Sequence, residues 1–211
     1  AMSEQVTLYY NPMSRAAIVH WMLEEAEADY ELELIDFAKG DNQSEAFLAK
    51  NPMGKLPVIA HRGTIITEAA AICAYLADAF PKNNLAPAPT APERGTYYRW
   101  LFFGAGCMEP AALDRALGRP AAEKPASVGY GTYERTFDTL DSELSKGGFL
   151  LGEQFTAADV YIAAQLGWGL GFGTIDTRPP FERYAGECNE RPTYQRFDAR
   201  HKELMAEMQS R

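Results

Sequence analysis

Pro57 stands at the head of an apolar run, Val58-Ile59-Ala60, behind the turn-forming stretch Asn51-Pro52-Met53-Gly54-Lys55-Leu56. Proline donates no hydrogen bond to a sheet ladder, so it is confined to strand starts, edges and bulges. A strand that opens on a Leu-Pro pair therefore follows a tight turn, and a cis peptide is open to such a pair. In that geometry the Leu56 N–H and C=O turn away from the sheet, where an extended peptide-like ligand can pair with them as an added strand. A little further on, Thr67-Glu68-Ala69-Ala70-Ala71-Ile72 ends a strand and opens a helix. The N–H groups of a helix start suit a carboxylate, and an acid at Glu68 suits an amine. A ligand carrying backbone amides, a carboxylate and an amine fits all three features.

The chain before and after this stretch sorts into two kinds of pattern. Val6-Thr7-Leu8-Tyr9-Tyr10 is a short β-rich run, and Asn11-Pro12-Met13-Ser14 is a turn with Ser14 as a helix N-cap. From Arg15 the apolar residues Ile18, Val19, Met22 and Leu23 follow helical spacing, with Glu24, Glu25 and Glu27 expected outside. Tyr30 to Phe37 alternates as a second strand, Ser44 to Lys50 is a short helix, and Arg62-Gly63-Thr64 turns the Val58–Ala60 strand into Ile65-Ile66. A helix over Ala69–Phe80 completes a βαβαββα order, whose parallel crossover requires a right-handed connection. The Pro- and Asn-rich segment from Pro81 to Pro92 cannot continue that helix and reads as a linker. After Glu93 no alternating strand remains. A long helix runs from Glu93 to Leu117, bent or broken near Glu109-Pro110, and further helices cover Val128–Lys146, the segment after Phe155, Phe181–Asn189 and Pro192–Gln209. Thr156 and Asp159 form a capping box with Phe155 placed to staple onto Val160, so both polar residues read as folding residues. Gly167 to Gly173, with four glycines among aromatics, reads as a loop near a cavity.

The N-P-M-G-K-L-P-V and T-E-A-A-A-I motifs, at this spacing after an N-terminal strand-turn-helix, resemble the glutathione-binding half of the cytosolic glutathione S-transferase family, in its bacterial type with a serine in the first turn. The resemblance extends over the whole chain, since the second half reads as that family's helical domain. It implies an α/β thioredoxin-like N-terminal domain over 1–81, a linker over 82–92 and an all-α C-terminal domain over 93–211 carrying the second-substrate site. It also implies glutathione as co-substrate, a small electrophile as partner, and a homodimer across the helices after Glu68 and Glu93.

Glutathione transfer needs a thiolate near neutral pH, whereas a free thiol titrates near ~8.5. A hydroxyl or amide donor aimed at the sulfur, together with a helix N-terminus, favours the anion. The donor belongs where the first strand meets the first helix. Ser14 is the first candidate there, with simple N-capping as the alternative reading. Asn11 is second, because it occupies the slot before proline where related proteins carry a reactive Cys or Ser. Tyr9 and Tyr10 come third, as strand tyrosines are commonly core. By the resemblance, Leu56 and Pro57 hold the tripeptide backbone, and Glu68 meets the γ-glutamyl part, against a bare capping role. The family's usual serine after that acid is here Ala69, which removes one hydrogen bond and leaves the backbone N–H. Lys55 pairs with the glycyl carboxylate or is a solvated turn lysine. Met13, Trp100, Phe103 and Met108 are candidates to line the second-substrate site, against a reading as plain core.

Charge and cysteine usage narrow the function further. A net charge of −9 argues against non-specific binding to nucleic acid or to an anionic membrane. No apolar run of about 18 residues suggests a membrane span. No charged-then-apolar leader opens the chain, and Ala1 ahead of Met2 reads as a cloning remnant. Cys73, Cys107 and Cys188 are odd in number and widely spaced, which suits a reducing, cytoplasmic setting. His20, His61 and His201 lie far apart, so no metal motif is expected. Two rival functions follow from the same fold: a glutathione-dependent thiol-disulfide reductase or isomerase, and a non-catalytic binding protein. The lack of cysteine at positions 11 to 14 counts against the first rival. The retained Leu56-Pro57 and Glu68 count against the second, and Ala69 counts mildly for it.

Overall fold

The computed structural model describes residues 4–211; the Ala1-Met2 pair lies outside the described residues. The chain forms two compact units. One runs to Asn84 and takes in Arg191–Arg211, and the other is Leu85–Glu190.

The first unit is built on a sheet of four strands: β1 (Val6–Tyr10), β2 (Tyr30–Leu34), β3 (Val58–His61) and β4 (Thr64–Thr67). Their order is β2-β1-β3-β4. β1 runs parallel to β2 and antiparallel to β3, and β3 runs antiparallel to β4. Parallel neighbours need a crossover, and helix α1 (Ala16–Glu25) supplies it. Val6, Leu8, Val58 and Ile59 are fully buried, as are Ile18, Trp21, Met22 and Leu23 of α1. Helix α2 (Glu45–Lys50) starts on Ser44, whose Oγ accepts the Phe47 N–H, and helix α3 (Ala69–Ala79) packs on α1.

The last helix, α9 (Pro192–Gln209), packs against α1 and belongs by contact to this unit, although the sequence pattern groups it with the helical half. Its arrival changes the environment of Glu25. Expected on an outer face, Glu25 is buried and takes a forked pair of hydrogen bonds from Arg191 Nε and Nη2, the shortest at 2.9 Å. The Trp21 indole N–H adds a third donor at 2.9 Å. One helix alone gives no sign of this, because the partner lies at the other end of the chain.

The second unit is helical: α4 (Glu93–Phe103), α5 (Glu109–Ala116), α6 (Tyr133–Leu144), α7 (Ala157–Phe172) and α8 (Pro179–Asn189). The bend expected at Glu109-Pro110 is a single π-helical turn over Gly104–Met108 that joins α4 to α5 without a break. Pro110 lacks an N–H and its ring crowds the preceding turn, so widening that turn accommodates it. A Cβ on Gly104 would stand only 2.7 Å from the Tyr161 ring, so glycine lets this turn lie against α7. Helix α6 begins at Tyr133 on a Thr132 cap, five residues later than the start expected at Val128.

The glycine-rich segment after Gly167 is not a loop: α7 continues through Phe172 and ends on Gly173 in the left-handed conformation. Burial overrides the weak helix preference of glycine. Gly169 is required where Ile175 packs, since a Cβ there would meet its side chain at 2.2 Å. The capping box is present as read. Thr156 accepts from Ala158 N–H, and Asp159 accepts from Thr156 N–H, Leu150 N–H and the Tyr184 hydroxyl. No helix among the described residues is long and apolar enough to cross a membrane.

Candidate functional site

Strand register brings three of the expected segments to one end of the sheet. β1 leaves the sheet at Tyr10, β3 enters at Val58 opposite Tyr9, and β4 leaves at Thr67 opposite Val58. The Asn11–Ser14 turn, the Leu56-Pro57 pair and Glu68-Ala69 therefore border the same edge. The Leu56-Pro57 peptide is cis.

Two turns at this edge begin Asn-Pro-Met and are built alike. Asn11 Oδ1 accepts the Met13 N–H at 3.0 Å, and its Nδ2 donates to Ile35 O at 3.1 Å. Asn51 Oδ1 accepts the Met53 N–H at 3.1 Å, and its Nδ2 donates to Lys55 O at 2.9 Å. In both turns the asparagine carbonyl accepts the N–H three residues on, from Ser14 and from Gly54. Asparagine is the residue whose side chain reproduces a backbone turn in this way. Asn42 braces the second turn by donating to Gly54 O at 3.2 Å. Asn51 and Asn42 were not singled out from the sequence, although the repeated Asn-Pro-Met was the available signal. Asn11 is buried and its amide is engaged inward at both ends.

Ser14 lies half-buried beside α1. Its Oγ donates to Asn11 O at 2.7 Å and accepts the Ala16 N–H at 3.2 Å. The N-cap position itself falls on Arg15, one residue after the expected cap, and Ser14 serves the helix start through Ala16. Tyr9 and Tyr10 alternate across the strand. Lys50 Nζ stands 5.5 Å from the Tyr9 ring, while Tyr10 is buried among charges of α9. Burial pushes both phenols up, with Glu33 and Glu31 adding to the effect at Tyr9 and Glu207 at Tyr10, so both stay protonated at neutral pH.

Glu68 has φ 73° and ψ 113°, outside the three main regions open to an L residue. Its side chain is exposed and makes no capping hydrogen bond. The simple capping role is thus absent. The first N–H groups of α3, from Ala69 on, have no partner inside the helix. Lys55 is exposed and Leu56 is buried at the mouth of β3.

Residues 4–78 match the family described as glutathione S-transferase, N-terminal domain, and residues 110–168 match its C-terminal domain; together these cover well over half of the chain. The chain belongs to the glutathione S-transferase family.

Among this transferase's relatives, glutathione S-transferase hmp2 of Hypomyces subiculosus is 28% identical over 90% of this chain and 95% of its own. The disulfide-bond oxidoreductase YfcG of Escherichia coli is 28% identical over 74% and 76%. A glutathione transferase homolog from Sulfitobacter, solved with bound glutathione, superposes with a TM-score of 0.74 at 27% identity, covering 94% of this chain and 99% of its own.

The apolar candidates divide. Met13 is 72% exposed on the first turn, and Phe103 is half-buried in the second unit. Trp100 and Met108 are fully buried in that unit. Positions 97, 100, 101, 104 and 108 form the inner stripe of the α4–α5 rod, and the core claims it. Cys73 and Cys188 are buried, and burial pushes the Cys73 thiol up to about 12; Cys107 is half-buried. No group of three or more His, Cys, Asp or Glu among the described residues is placed to hold a metal ion.

Proposed function

We propose that this family member is a glutathione transferase that holds the tripeptide at the sheet edge of its first unit and delivers its thiolate to a small electrophile. The observation that carries this reading is Glu68. An exposed acid with no partner, on a backbone that disfavours any side chain, implies a ligand-facing role. Its carboxylate takes the γ-glutamyl amine, and the N–H groups at the start of α3 take the adjoining carboxylate, Ala69 contributing backbone alone. Leu56 pairs with the ligand backbone as an added antiparallel strand, with Pro57 closing the turn. Lys55 pairs with the glycyl carboxylate. Ser14 turns its hydroxyl from Asn11 O to the sulfur, where the start of α1 adds a favourable field. Asn11 ranks behind it because its amide already holds the turn. Met13 keeps exposed surface on the first turn for the electrophile. Rate enhancement then comes from thiolate stabilisation and proximity.

A homodimer is part of the same reading, across α3 and α4, and Phe102 and Tyr98 supply exposed aromatic surface on α4. A cytoplasmic setting and a detoxifying role accompany it, with no nucleic acid, membrane or metal as partner. The second reading, glutathione-dependent disulfide reduction, draws support from the relative named as a disulfide-bond oxidoreductase. The two part in a direct assay of conjugation against disulfide reduction. Titration with glutathione, followed by backbone amide resonances, tests the site: Leu56, Glu68 and Ala69 should shift with saturation. Saturable binding that leaves these amides unmoved refutes the placement, and no binding refutes the function.

A further inference from the structure

The twin Asn-Pro-Met turns carry a feature that holding the tripeptide does not require. Met13 is 72% exposed and Met53 is 71% exposed. Met22 and Met108 are fully buried, and Met205 and Met208 are half-buried, so the exposed thioethers among the described residues are confined to these two turns. The turns do not need methionine. At these positions the backbone N–H of Met13 or Met53 donates to the asparagine Oδ1, and any residue with an N–H could fill the same role. An unbranched apolar side chain held mostly in water forgoes the benefit of burial. Both turns border the sheet edge that carries Leu56 and Glu68.

We propose that Met13 and Met53 form a reversible oxidation site that lowers glutathione affinity under hydroperoxide. The proposal rests on the glutathione reading above for its effect. A hydroperoxide transfers one oxygen to the thioether sulfur: the peroxide O–O bond breaks, an S–O bond forms, the sulfur is oxidised by two electrons, and the peroxide leaves as water or alcohol. The sulfoxide is polar where the thioether was apolar, and enzymatic reduction restores it. Its oxygen carries partial negative charge, beside a site meant for a ligand with two carboxylates. The asparagine brackets keep both turns in place, so the change falls on the ligand and not on the fold.

The test uses the full chain with Cys107→Ser, which removes the partly accessible thiol as a competing target. Limited hydrogen peroxide treatment followed by peptide mass spectrometry should find sulfoxide at Met13 and Met53 before Met22 or Met108. Calorimetry should then show roughly three- to tenfold weaker glutathione binding, the size of effect expected where a newly polar group must lose water on docking. Methionine sulfoxide reductases should restore the affinity. A Met13→Leu/Met53→Leu variant, compared with itself before and after peroxide, should show no loss. Oxidation of buried methionines at equal rates, or an equal loss in the double variant, overturns the proposal. Failure of the untreated protein to bind glutathione is a separate outcome; it refutes the functional reading and the proposed effect with it.

Discussion

Replacing Glu68 by glycine should make the ligand-free protein more stable while making it a worse glutathione binder. At φ 73° and ψ 113° the residue carries a backbone cost of ~1–3 kcal/mol that glycine does not incur. Glycine's greater freedom in the unfolded chain takes back ~0.5–1 kcal/mol. No hydrogen bond is lost at the cap, because the Glu68 side chain makes none there. The net expectation is a gain of about 0–2.5 kcal/mol, centred near ~1, which for a chain of this size raises the melting midpoint by ~2–4 °C per kcal/mol gained. Glu68→Ala keeps the disfavoured backbone, so its stability should stay within ~0.5 kcal/mol of the parent. Both substitutions should weaken glutathione binding by roughly 1.5–3 kcal/mol if the carboxylate meets the ligand's charged amine. Urea unfolding of the three ligand-free proteins, with calorimetric titration of each, separates the contributions. A glycine variant less stable than the alanine variant would refute the backbone reasoning. Unchanged affinity in both would remove Glu68 from the ligand site.

Two further outcomes follow from the geometry. Ser14→Ala should raise the pKa of the bound glutathione thiol, read by ultraviolet thiolate titration, and cost ~1 kcal/mol of stability through the lost Ala16 contact; a shift seen with Asn11→Ala and not with Ser14→Ala would reverse the ranking. His20 is buried beside Tyr30, His201 and Arg200, and desolvation foremost lowers its pKa to about 4, so the folded protein favours the neutral ring. Its stabilisation is complete above the free-histidine value of ~6.5 and is lost as pH falls toward 4, by up to about 3 kcal/mol, because the unfolded chain takes up the proton first. His20→Phe should flatten the acid limb of the stability profile between those values, and an unchanged limb would point to other groups.

The strands and the sheet-edge motifs were legible because each rests on local chemistry. Pro57 can head a strand but not sit within one, the Arg62-Gly63 turn returns β3 into β4, and Thr156 with Asp159 caps α7. What escaped depends on distant partners. Nothing near Glu25 announces Arg191, and the glycines of α7 look like a loop until the packing around Gly169 is known. Trp100 and Met108 share helical spacing with Phe103, and spacing alone does not separate a core stripe from a binding wall. Asn11, read from the sequence as the second candidate donor to sulfur, is a different case. Its tripeptide recurs at Asn51, and comparison of the two would have suggested a bracket for the turn before a partner for sulfur.

The return of α9 to the first unit has a consequence for synthesis. A ribosome makes residues 191–211 after everything else in both units, so the sheet unit lacks one of its helices until they are added, while every residue of Leu85–Glu190 has already been made. A chain released at residue 190 has the whole of its second unit. It lacks the guanidinium that neutralises Glu25 and the helix that covers the outer face of α1. The N-terminal unit is thus completed after the one that follows it, and a chain cut short at residue 190 is left incomplete in its earliest-made part.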